Sequence, residues 1–528
     1  MNKILVSDQL AKEGLEVLAQ VKDISVDIKV GLKPAELQKI IGDYDALLVR
    51  SATKVDATLL AAAKKLKIVG RAGIGIDNVD VAAATKHGVV VMNTPEGNVI
   101  TTAEHTLAML MALTRKIPQA TASMKNGKWE KKAFEGREIF NKTLGVIGLG
   151  NIGKIVADRA RGMRMKVIAA DPFMDAAACA RLGAELVSLD ELFRRSDYIT
   201  VHTPLNDETR GIIGDRAFDL MKPGVFIINC ARGGIVDEAA LIRALDGGKV
   251  AGAAFDVFTE EPTPPAHHLV KHEKVICTPH LGASTEEAQV NVSIAVAEQV
   301  IEFLKGGVAR NAVNLPRVST QDLEVVGPYM TLVERAGSFV SQLHDQELCA
   351  IEIIYEGEIA EHNTAPLTAA VLKAVLSQQI EAVNYVNASL VAKERHIQVT
   401  EQKSLHAQDY ASTITVRLRG QREVNEVCAT LFGKSVPRFV RLNGMDCEVA
   451  PEGYLLVLRN KDLPGVVGFV GSILGSHGIN IARMGLGRDR QSGDALQALN
   501  LDIQCSPQIL EQLAHFENMI SVKQVHLS

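Results

Sequence analysis

The sequence lacks the features of metal sites, disulfide frameworks and membrane spans. Its seven cysteines lie at least 19 positions apart and include no C-x-x-C pair, so they indicate neither a zinc site nor disulfides. No stretch reaches the roughly 18 uninterrupted apolar residues of a transmembrane helix, and residues 1–10 do not have the pattern of a signal peptide. We therefore expect a cytoplasmic protein, because a reducing compartment suits unpaired cysteines.

An excess of positive charge is missing as well. The 57 lysines and arginines are outnumbered by 62 aspartates and glutamates, which gives a net charge of −5. This balance excludes a global field that would attract nucleic acid or an anionic membrane. The 47% hydrophobic and 23% charged residues are typical of globular proteins, and 528 residues suffice for three or four domains.

Strand-like and helix-like segments alternate over the first 300 residues. Short β-branched runs alternate with amphipathic segments from residue 3 to about 71 and again after residue 144, with a long helical segment at about 101–117 between them. A further helix at 286–304 ends at two glycines. The alternation predicts an α/β fold with two doubly wound parallel-sheet domains.

A glycine motif marks the start of the second of these units. Gly148, Gly150 and Gly153 directly follow an apolar strand and open a helix, in the G-x-G-x-x-G pattern that brings a pyrophosphate to a helix N-terminus. Asp171 ends the next strand, where its carboxylate can bind ribose hydroxyls and would repel a 2′-phosphate. The pattern predicts dinucleotide binding, with NAD favoured over NADP.

Three further residues follow strands of the same unit and meet at its carboxyl edge, where open α/β sheets bind ligands. Arg232 can grip a carboxylate bidentately and polarise a neighbouring carbonyl. His280 is a candidate base for a hydroxyl proton in hydride transfer, and Glu261 would orient its ring and raise its pKa. Singly, each has an ordinary explanation as a surface ion pair, a solvated loop residue or a strand cap. Their convergence on one edge favours catalysis.

Four runs, at 70–80, 229–237, 255–262 and 278–285, resemble the D-isomer-specific 2-hydroxyacid dehydrogenases, in a long form with an intervening domain and a C-terminal ACT domain. The resemblance implies NAD-dependent oxidation of 3-phospho-D-glycerate to 3-phosphooxypyruvate, the first step of phosphorylated L-serine synthesis. It also implies that Arg232 binds substrate, that Glu261 supports the histidine and that His280 is the general acid/base.

The resemblance extends to cofactor contacts. Beyond the three glycines and Asp171, it assigns such contacts to Asn151, Ile152, Thr203, Cys230, Ala231 and Asp256. Ile74 departs from the family, because a threonine is expected there and a hydroxyl contact on the nicotinamide side is lost with it. The reaction itself does not depend on that contact.

Substrate choice requires phosphate recognition, since a plain 2-hydroxy acid needs only carboxylate and hydroxyl contacts. Arg50 and Arg71 both follow strands of the first unit, and two guanidiniums suit a dianionic phosphate. By position alone they are equally well explained as solvated arginines, and the resemblance favours the phosphate site. Asn98 is a weaker candidate for the carboxylate side.

The resemblance also implies an assembly. The segment 127–132, which contains the single tryptophan, Trp129, is similar to the one through which family members approach a partner subunit's active site. A homo-oligomer is therefore expected, as a dimer of dimers or homotetramer. The simpler interpretation is that Trp129 only packs in an interface.

Four domains are expected. Residues 1–98 and 286–317 form a flavodoxin-like substrate-binding domain, and residues 99–285 form a Rossmann NAD-binding domain. Residues 318–451, with strand-like 349–355 and 413–418 and helix-like 369–382, form an α+β intervening regulatory domain. Residues 452–528 have the order βαββαβ, which predicts a ferredoxin-like ACT domain.

The last domain carries a candidate effector site. Asn460, Asp462 and Asn480 lie in segments that resemble the ACT ligand loop and its neighbouring strand, where Asp462 can receive an α-ammonium group. The resemblance implies feedback inhibition by L-serine through coupling between distant sites. Without it, a turn with an asparagine cap is the simpler interpretation. Near the junction between the last two domains, Arg438, Arg441 and Arg459 suggest, by resemblance, an anion effector site.

Other functions compete with this interpretation. A glyoxylate or hydroxypyruvate reductase would share Arg232, Glu261 and His280 but would need no phosphate site. A corepressor-like, NADH-sensing binding protein would keep the dehydrogenase core without an ACT domain. A purely regulatory amino-acid sensor is made unnecessary by the catalytic trio.

Overall fold

The computed structural model describes residues 1–307, 309–316, 318–407, 409–433 and 435–527. These residues form four β-sheets that follow one another along the chain, of five, seven, six and four strands. Two predicted domain ends, at Arg317 and Ser528, lie outside the described residues. The expected α/β and α+β fold class is confirmed.

The first sheet is parallel and has the strand order β2-β1-β3-β4-β5 of flavodoxin-like folds. Its strands are short apolar runs, such as the fully buried Ala46–Val49, because helices cover both faces of a parallel sheet. The elements are β1 (Asn2–Val6), α1 (Lys12–Ala19), β2 (Ile24–Ile28), α2 (Pro34–Ile40), β3 (Ala46–Val49), α3 (Ala57–Ala62), β4 (Ile68–Arg71), α4 (Val81–Lys86) and β5 (Val90–Asn93).

The second sheet is also parallel, with the order β12-β11-β10-β9-β6-β7-β8, a Rossmann arrangement extended by one strand. Its elements are α5 (Val99–Thr114), α6 (Ile117–Lys125), β6 (Thr143–Ile147), α7 (Asn151–Gly162), β7 (Lys166–Ala170), α8 (Ala176–Arg181), β8 (Glu185–Leu186), α9 (Leu189–Arg195), β9 (Tyr198–Val201), α10 (Asp215–Leu220), β10 (Val225–Asn229), α11 (Glu238–Asp246), β11 (Val250–Phe255), α12 (His268–Lys271) and β12 (Val275–Cys277).

The long helix expected at 101–117 is two helices. α5 ends at Thr114, and α6 begins at Ile117 after Lys116 adopts a left-handed conformation with φ 52°. Pro118 lies in the first turn of α6, and a proline there disfavours continuation of a preceding helix because it lacks an N–H and restricts the residue before it.

The chain returns to the first sheet through α13 (Glu286–Leu304), whose N-terminus is capped by the Thr285 side chain. Val292, Val296 and Val300 of α13 belong to the same core as the first sheet. Gly14 lets α1 lie directly on α13, since a Cβ at this position would be 2.6 Å from the backbone carbonyl of Ser293. The connections into α5 and α13 therefore place the carboxyl edges of the two parallel sheets against each other.

The third sheet is mixed and has the order β14-β13-β15-β16-β17-β18. Four of its strands were not predicted, and the helix expected at 369–382 instead spans Ala365–Leu376. The edge strand β14 is largely exposed and polar. Its sequence therefore lacks the alternation of apolar and polar residues by which a strand is predicted. The elements are α14 (Thr320–Val326), α15 (Tyr329–Leu343), β13 (Ala350–Gly357), α16 (Ala365–Leu376), α17 (Ala388–Glu394), β14 (Gln398–Ser404), β15 (Ser412–Arg419), β16 (Val424–Phe432), β17 (Val436–Leu442) and β18 (Met445–Val449).

The fourth sheet is antiparallel with the order β20-β21-β19-β22, the ferredoxin-like arrangement that the βαββαβ order predicts. Its elements are β19 (Gly453–Lys461), α18 (Val466–Ser476), β20 (Ile481–Asp489), β21 (Asp494–Leu501), α19 (Pro507–Ala514) and β22 (Met519–Leu527). Helices cover one face. On the other face, Leu455, Val457 and Val525 share a core with Phe339 and Phe439 of the third unit.

The third unit also touches the first. Asn384 donates a hydrogen bond to the carbonyl of Gly88 at 2.8 Å, and Val386 is buried in the core of the first sheet. Lys86 and Glu394 form an exposed ion pair beside this contact.

The helices and the cysteines can be compared with what the sequence predicts about membrane spans and disulfides. Among the helices in the described part of the chain, none is both long and apolar enough to cross a membrane. All seven cysteines are free.

We expect G14A to lower the free energy of unfolding by about 1–3 kcal/mol, the usual cost of overpacking an interior, because the new methyl group meets the Ser293 backbone. Gly→Ala in an unobstructed helix instead stabilises by about 0.5–1 kcal/mol. G162A in α7 is the matched control, since within the described residues no atom lies near that Cβ. Thermal unfolding of both variants is the measurement, and a G14A protein as stable as G162A would contradict this packing.

Candidate functional site

The loop between β6 and α7 has the shape that the glycine motif predicts. Gly148 has φ +89°, and a Cβ there would lie 2.8 Å from the carbonyl oxygen of His202. A Cβ at Gly153 would lie 2.0 Å from the carbonyl oxygen of Gly148, so the helix can approach the loop only with glycine at this position. No described atom lies within 4 Å of a Cβ at Gly150, which leaves open space at the N-terminus of α7 for a pyrophosphate.

Asp171 is fixed at the end of β7. One carboxylate oxygen accepts a hydrogen bond from the backbone N–H of Leu149 at 2.8 Å, and the other accepts one from Phe173 at 2.8 Å. The negative charge is thereby held beside the glycine loop, where the ribose of a bound dinucleotide would lie.

Two buried polar atoms face this region from the end of β9. Thr203 Oγ1 and His202 Nδ1 have no hydrogen-bond partner among the described residues. Burial lowers the pKa of His202 to about 4, so its ring is neutral. The open space at Gly150, the fixed carboxylate of Asp171 and the unpaired buried polar atoms together fit NAD.

Two more residues with a predicted cofactor contact lie at the start of α7, where Asn151 is exposed and Ile152 is half-buried.

The turn after β10 presents Arg232. The side chain of Asn229 accepts a hydrogen bond from Ala231 N at 3.1 Å and donates one to Arg232 O at 2.9 Å. Cys230 is buried, and burial raises the pKa of its thiol, which keeps it protonated. Asn229 was not singled out from the sequence, although an asparagine at a strand end is a common turn residue.

The side chains of Glu261 and His280 are in contact. Glu261 Oε2 lies 2.6 Å from His280 Nδ1, and Glu261 Oε1 accepts a hydrogen bond from Phe258 N at 2.9 Å. The hydrogen bond to Glu261 raises the pKa of His280. Burial would raise the pKa of Glu261, but the hydrogen bonds from His280 and Phe258 outweigh it and hold that pKa below its usual range. Nδ1 therefore carries the proton facing the carboxylate, and Nε2 can exchange a proton with a substrate.

Asp256, for which a cofactor contact is predicted, is 0% exposed. Its carboxylate accepts hydrogen bonds from Thr278 Oγ1 at 2.6 Å, Leu281 N at 2.7 Å and Gly282 N at 2.8 Å. His105 Nε2 lies 3.2 Å away. Asp256 thus anchors the loop in which His280 adopts a left-handed conformation with φ 55°.

A cavity of about 810 Å³ joins this loop to the first unit. Arg50, Arg71 and Asn98 line it together with Glu261 and His280. Burial lowers the pKa of Arg71 to about 10, and the charges of Arg232 and Arg50 act in the same direction. Arg71 Nε and Asn98 Oδ1 are buried and find no partner in the part of the chain that the structure describes. Arg71 Nε is a donor suited to an anionic ligand, whereas Asn98 Oδ1 is an acceptor suited to a hydroxyl group.

Asp8 and Asn78, which were not predicted, organise the loop of Arg50. Asp8 follows β1, is 5% exposed and accepts hydrogen bonds from Arg50 N at 2.6 Å and Thr53 Oγ1 at 2.6 Å. Asn78 Nδ2 donates to the carbonyl of Arg50 at 2.6 Å. The available signal for Asp8 was a carboxylate directly after a buried strand, at the edge where ligands bind.

Arg232 reaches across the cleft to a residue that the sequence analysis missed. Its Nε donates to Asp77 Oδ2 of the first unit at 2.9 Å, and its NH1 group donates to Ala231 O at 2.6 Å. Ile74, in the same loop as Asp77, is half-buried, and its carbonyl accepts a hydrogen bond from Asn93 at 2.7 Å. Trp129 is 82% exposed.

The candidate effector residues already have partners within the chain. Asn460 is 2% exposed, and its side chain accepts a hydrogen bond from Gln497 at 2.8 Å. Its burial on the helix-covered face of the last sheet argues against the predicted direct contact with a ligand. Asp462 is paired with Arg488 at 2.6 Å, and Asn480 donates to Asp502 at 2.9 Å.

The three arginines near the domain junction are likewise paired, Arg438 with Glu448, Arg441 with Asp446 and Arg459 with Asp494. Nowhere in the described ranges do three His, Cys, Asp or Glu side chains come together in a way that could hold a metal ion.

Comparison with known proteins relates the chain to one enzyme family. Residues 107–282 match the family model of the D-isomer specific 2-hydroxyacid dehydrogenase NAD binding domain. Residues 325–443 match that of the D-3-phosphoglycerate dehydrogenase intervening domain. The chain is 45% identical to the D-3-phosphoglycerate dehydrogenase of Synechocystis sp. over 95% of this chain and 90% of that relative. It is 43% identical to that of Bacillus subtilis over 100% of both chains.

A solved structure agrees with this relation over part of the chain. The D-lactate dehydrogenase of Aquifex aeolicus, in complex with NAD and lactic acid, is 29% identical with a TM-score of 0.53. The match covers 60% of this chain and 100% of that one.

We expect E261Q to lower the pKa of His280, because the hydrogen bond to the Glu261 carboxylate is the main cause of its elevation. Histidine-ring NMR titration measures this directly. The matched control is E238Q, which breaks a second Glu–His pair, with His267 at 3.1 Å, and should leave the pKa of His280 unchanged. An unaltered His280 pKa in E261Q would contradict the assigned coupling.

The Glu261–His280 pair should also make the free energy of unfolding depend on pH. The raised pKa of His280 contributes stability that is complete below its unfolded value of 6.5 and is lost as pH rises through the folded pKa. The lowered pKa of Glu261 contributes stability above its unfolded value of 4.5 and is lost as pH falls through the folded pKa. The stability difference between wild type and E261Q should therefore be largest between pH 4.5 and 6.5.

Proposed function

Because this chain belongs to the D-3-phosphoglycerate dehydrogenases of the D-isomer-specific 2-hydroxyacid dehydrogenase family, we propose that it oxidises 3-phospho-D-glycerate to 3-phosphooxypyruvate. This is the first step of phosphorylated L-serine synthesis. The chain is an NAD-dependent dehydrogenase of this kind. The observation that carries the choice of substrate is a cavity lined both by two arginines of the first unit and by the Glu261–His280 pair of the second.

The proton of the substrate C2 hydroxyl passes to His280. Glu261 holds the ring through Nδ1, so the Nε2 lone pair accepts the proton and the ionised carboxylate stabilises the resulting imidazolium. Bound NAD supplies the hydride acceptor. In the reductive direction the protonated His280 returns the proton to the oxygen.

Arg232 is assigned to the substrate carboxylate and the C2 oxygen. Its guanidinium is planar and permanently charged, and it can bind a carboxylate with two parallel hydrogen bonds while polarising the neighbouring C–O group. Charge builds on that oxygen as its proton leaves. A fixed cation there favours the change.

The phosphate is assigned to Arg50 and Arg71. Burial is the main cause of the lowered pKa of Arg71, and the charges of Arg232 and Arg50 lower it further; a dianion placed between these arginines would relieve their repulsion. The unpaired Asn98 oxygen is available to a substrate hydroxyl. A glyoxylate reductase would not need two further guanidiniums in the cleft, because its substrate carries no phosphate.

Regulation, assembly and location are part of the proposal. Serine would bind at the ACT domain near Asp462 and Asn480, with the buried Asn460 ordering the loop from behind. A homo-oligomer, as a dimer of dimers, would cover the exposed Trp129. The enzyme would act in the cytoplasm.

The test is NADH formation at alkaline pH from 3-phospho-D-glycerate, D-glycerate and D-lactate. R50A and R71A should each lower kcat/KM for the phosphorylated substrate by about 10- to 100-fold, which corresponds to the loss of a charge-assisted hydrogen bond. Their effect on D-glycerate should be small. Equal losses on both substrates would remove the phosphate assignment, and tight NADH binding without turnover on any substrate would favour a cofactor-sensing binding protein.

D462A should abolish inhibition by millimolar serine while turnover without serine is retained, because the carboxylate that would receive the ammonium group is lost. D489A is the control, since Asp489 is an acidic residue of the same domain that binds only its own turn. Inhibition curves of the two variants and wild type are compared. Unchanged inhibition in D462A would exclude Asp462 from the effector site.

A further inference from the structure

We propose that Asp77 is a positioning residue for the dehydrogenase reaction, which holds the Arg232 guanidinium across the cleft so that its free edge faces the substrate. The inference rests on the proposed function, because it takes Arg232 as the carboxylate-binding group. Asp77 belongs to the loop after β4 in the first unit, whereas Arg232 follows β10 in the second. The two residues are 155 positions apart in sequence.

The contact leaves the useful part of the guanidinium available. Asp77 Oδ2 accepts from Nε at 2.9 Å, and Ala231 O accepts from the NH1 group at 2.6 Å. An arginine side chain has five N–H donors, so three remain on NH1 and NH2. Those two nitrogens form the fork that binds a carboxylate bidentately. Asp77 thus fixes the direction of the fork without occupying it.

The backbone beside the pair is built to admit it. A Cβ at Gly75 would lie 2.0 Å from Arg232 NH2 and 2.8 Å from Asp77 Oδ2, so a side chain at this position would displace the guanidinium. Gly73 plays the same part for Arg71, whose NH1 would lie 1.7 Å from a Cβ there. The loop is itself fixed, because Gly73 N donates to Thr94 Oγ1 at 2.7 Å.

Charge gives a second reason for an acid at this position. Arg71 and Arg232 repel each other in the cleft, and Asp77 acts on Arg71 in the opposite direction. The carboxylate therefore lets both guanidiniums share the cleft before substrate arrives. It also fixes the orientation of Arg232 relative to the first unit, which holds the phosphate-binding arginines. The groups that bind the carboxylate and the phosphate of one substrate are thereby held at a fixed separation.

The experiment compares wild type with D77N, D77E and D80N in steady-state kinetics with 3-phospho-D-glycerate. D77N should lower kcat/KM by about 10-fold, because the charge-assisted hydrogen bond to Nε is weakened, while NADH binding measured by fluorescence is unchanged. D77E, which keeps the charge, should lose less. With substrate deuterated at C2, the isotope effect on kcat should rise in D77N, since misplacement of Arg232 slows hydride transfer.

D80N is the matched control, because Asp80 lies in the same loop but caps α4 through Ala83 N at 2.9 Å. The inference is overturned if D77N keeps the wild-type kcat/KM and isotope effect, or if D80N shows the same losses. If D77N does not fold, the comparison of D77E and D77S with D80N decides by the same criteria. Absence of turnover in the wild type would instead overturn the proposed function, which separates the two failures.

Discussion

The site depends on the fact that all strands of a parallel sheet end at one edge. Asp8, Arg50 and Arg71 lie at the ends of strands of the first sheet, and Arg232 and His280 follow strands of the second. The crossings through α5 and α13 set these two edges against each other. Polar groups can collect there without interrupting either apolar sheet, because each follows the last buried residue of its strand. The chemistry is thus assembled from chain segments that are distant in sequence.

Buried carboxylates hold the loops that carry this chemistry. Asp8 and Asp256 are almost fully enclosed, and a buried charge is tolerated only when donors surround it. Asp8 receives its hydrogen bonds from the loop of Arg50, and Asp256 receives them from the loop of His280. These hydrogen bonds tie each loop to the end of a buried strand, which meets the need for preorganised catalytic groups.

Local features were predictable from the sequence, and long-range pairings were not. The roles of Gly148, Gly150 and Gly153 follow from strand, turn and helix in one short stretch. The Glu261–His280 contact joins segments that end at one sheet edge. Asp77 gave no signal, because its partner lies in another domain. The burial of Asn460 was predictable, because strand alternation places it with Leu456 and Leu458 on the covered face of β19.

The shared core of the last two units makes them one mechanical body. Leu455, Val457 and Val525 of the fourth sheet pack in one core with Phe339 and Phe439 of the third unit. Toward the catalytic half, the body is joined at the patch around Asn384, Val386 and Gly88. A displacement of the fourth sheet would therefore reach the first unit at the end of α4. This end lies next to β5, the strand that leads to Asn98. The last two units would therefore move as one rigid body about a small contact with the first unit, and not as independently mobile domains.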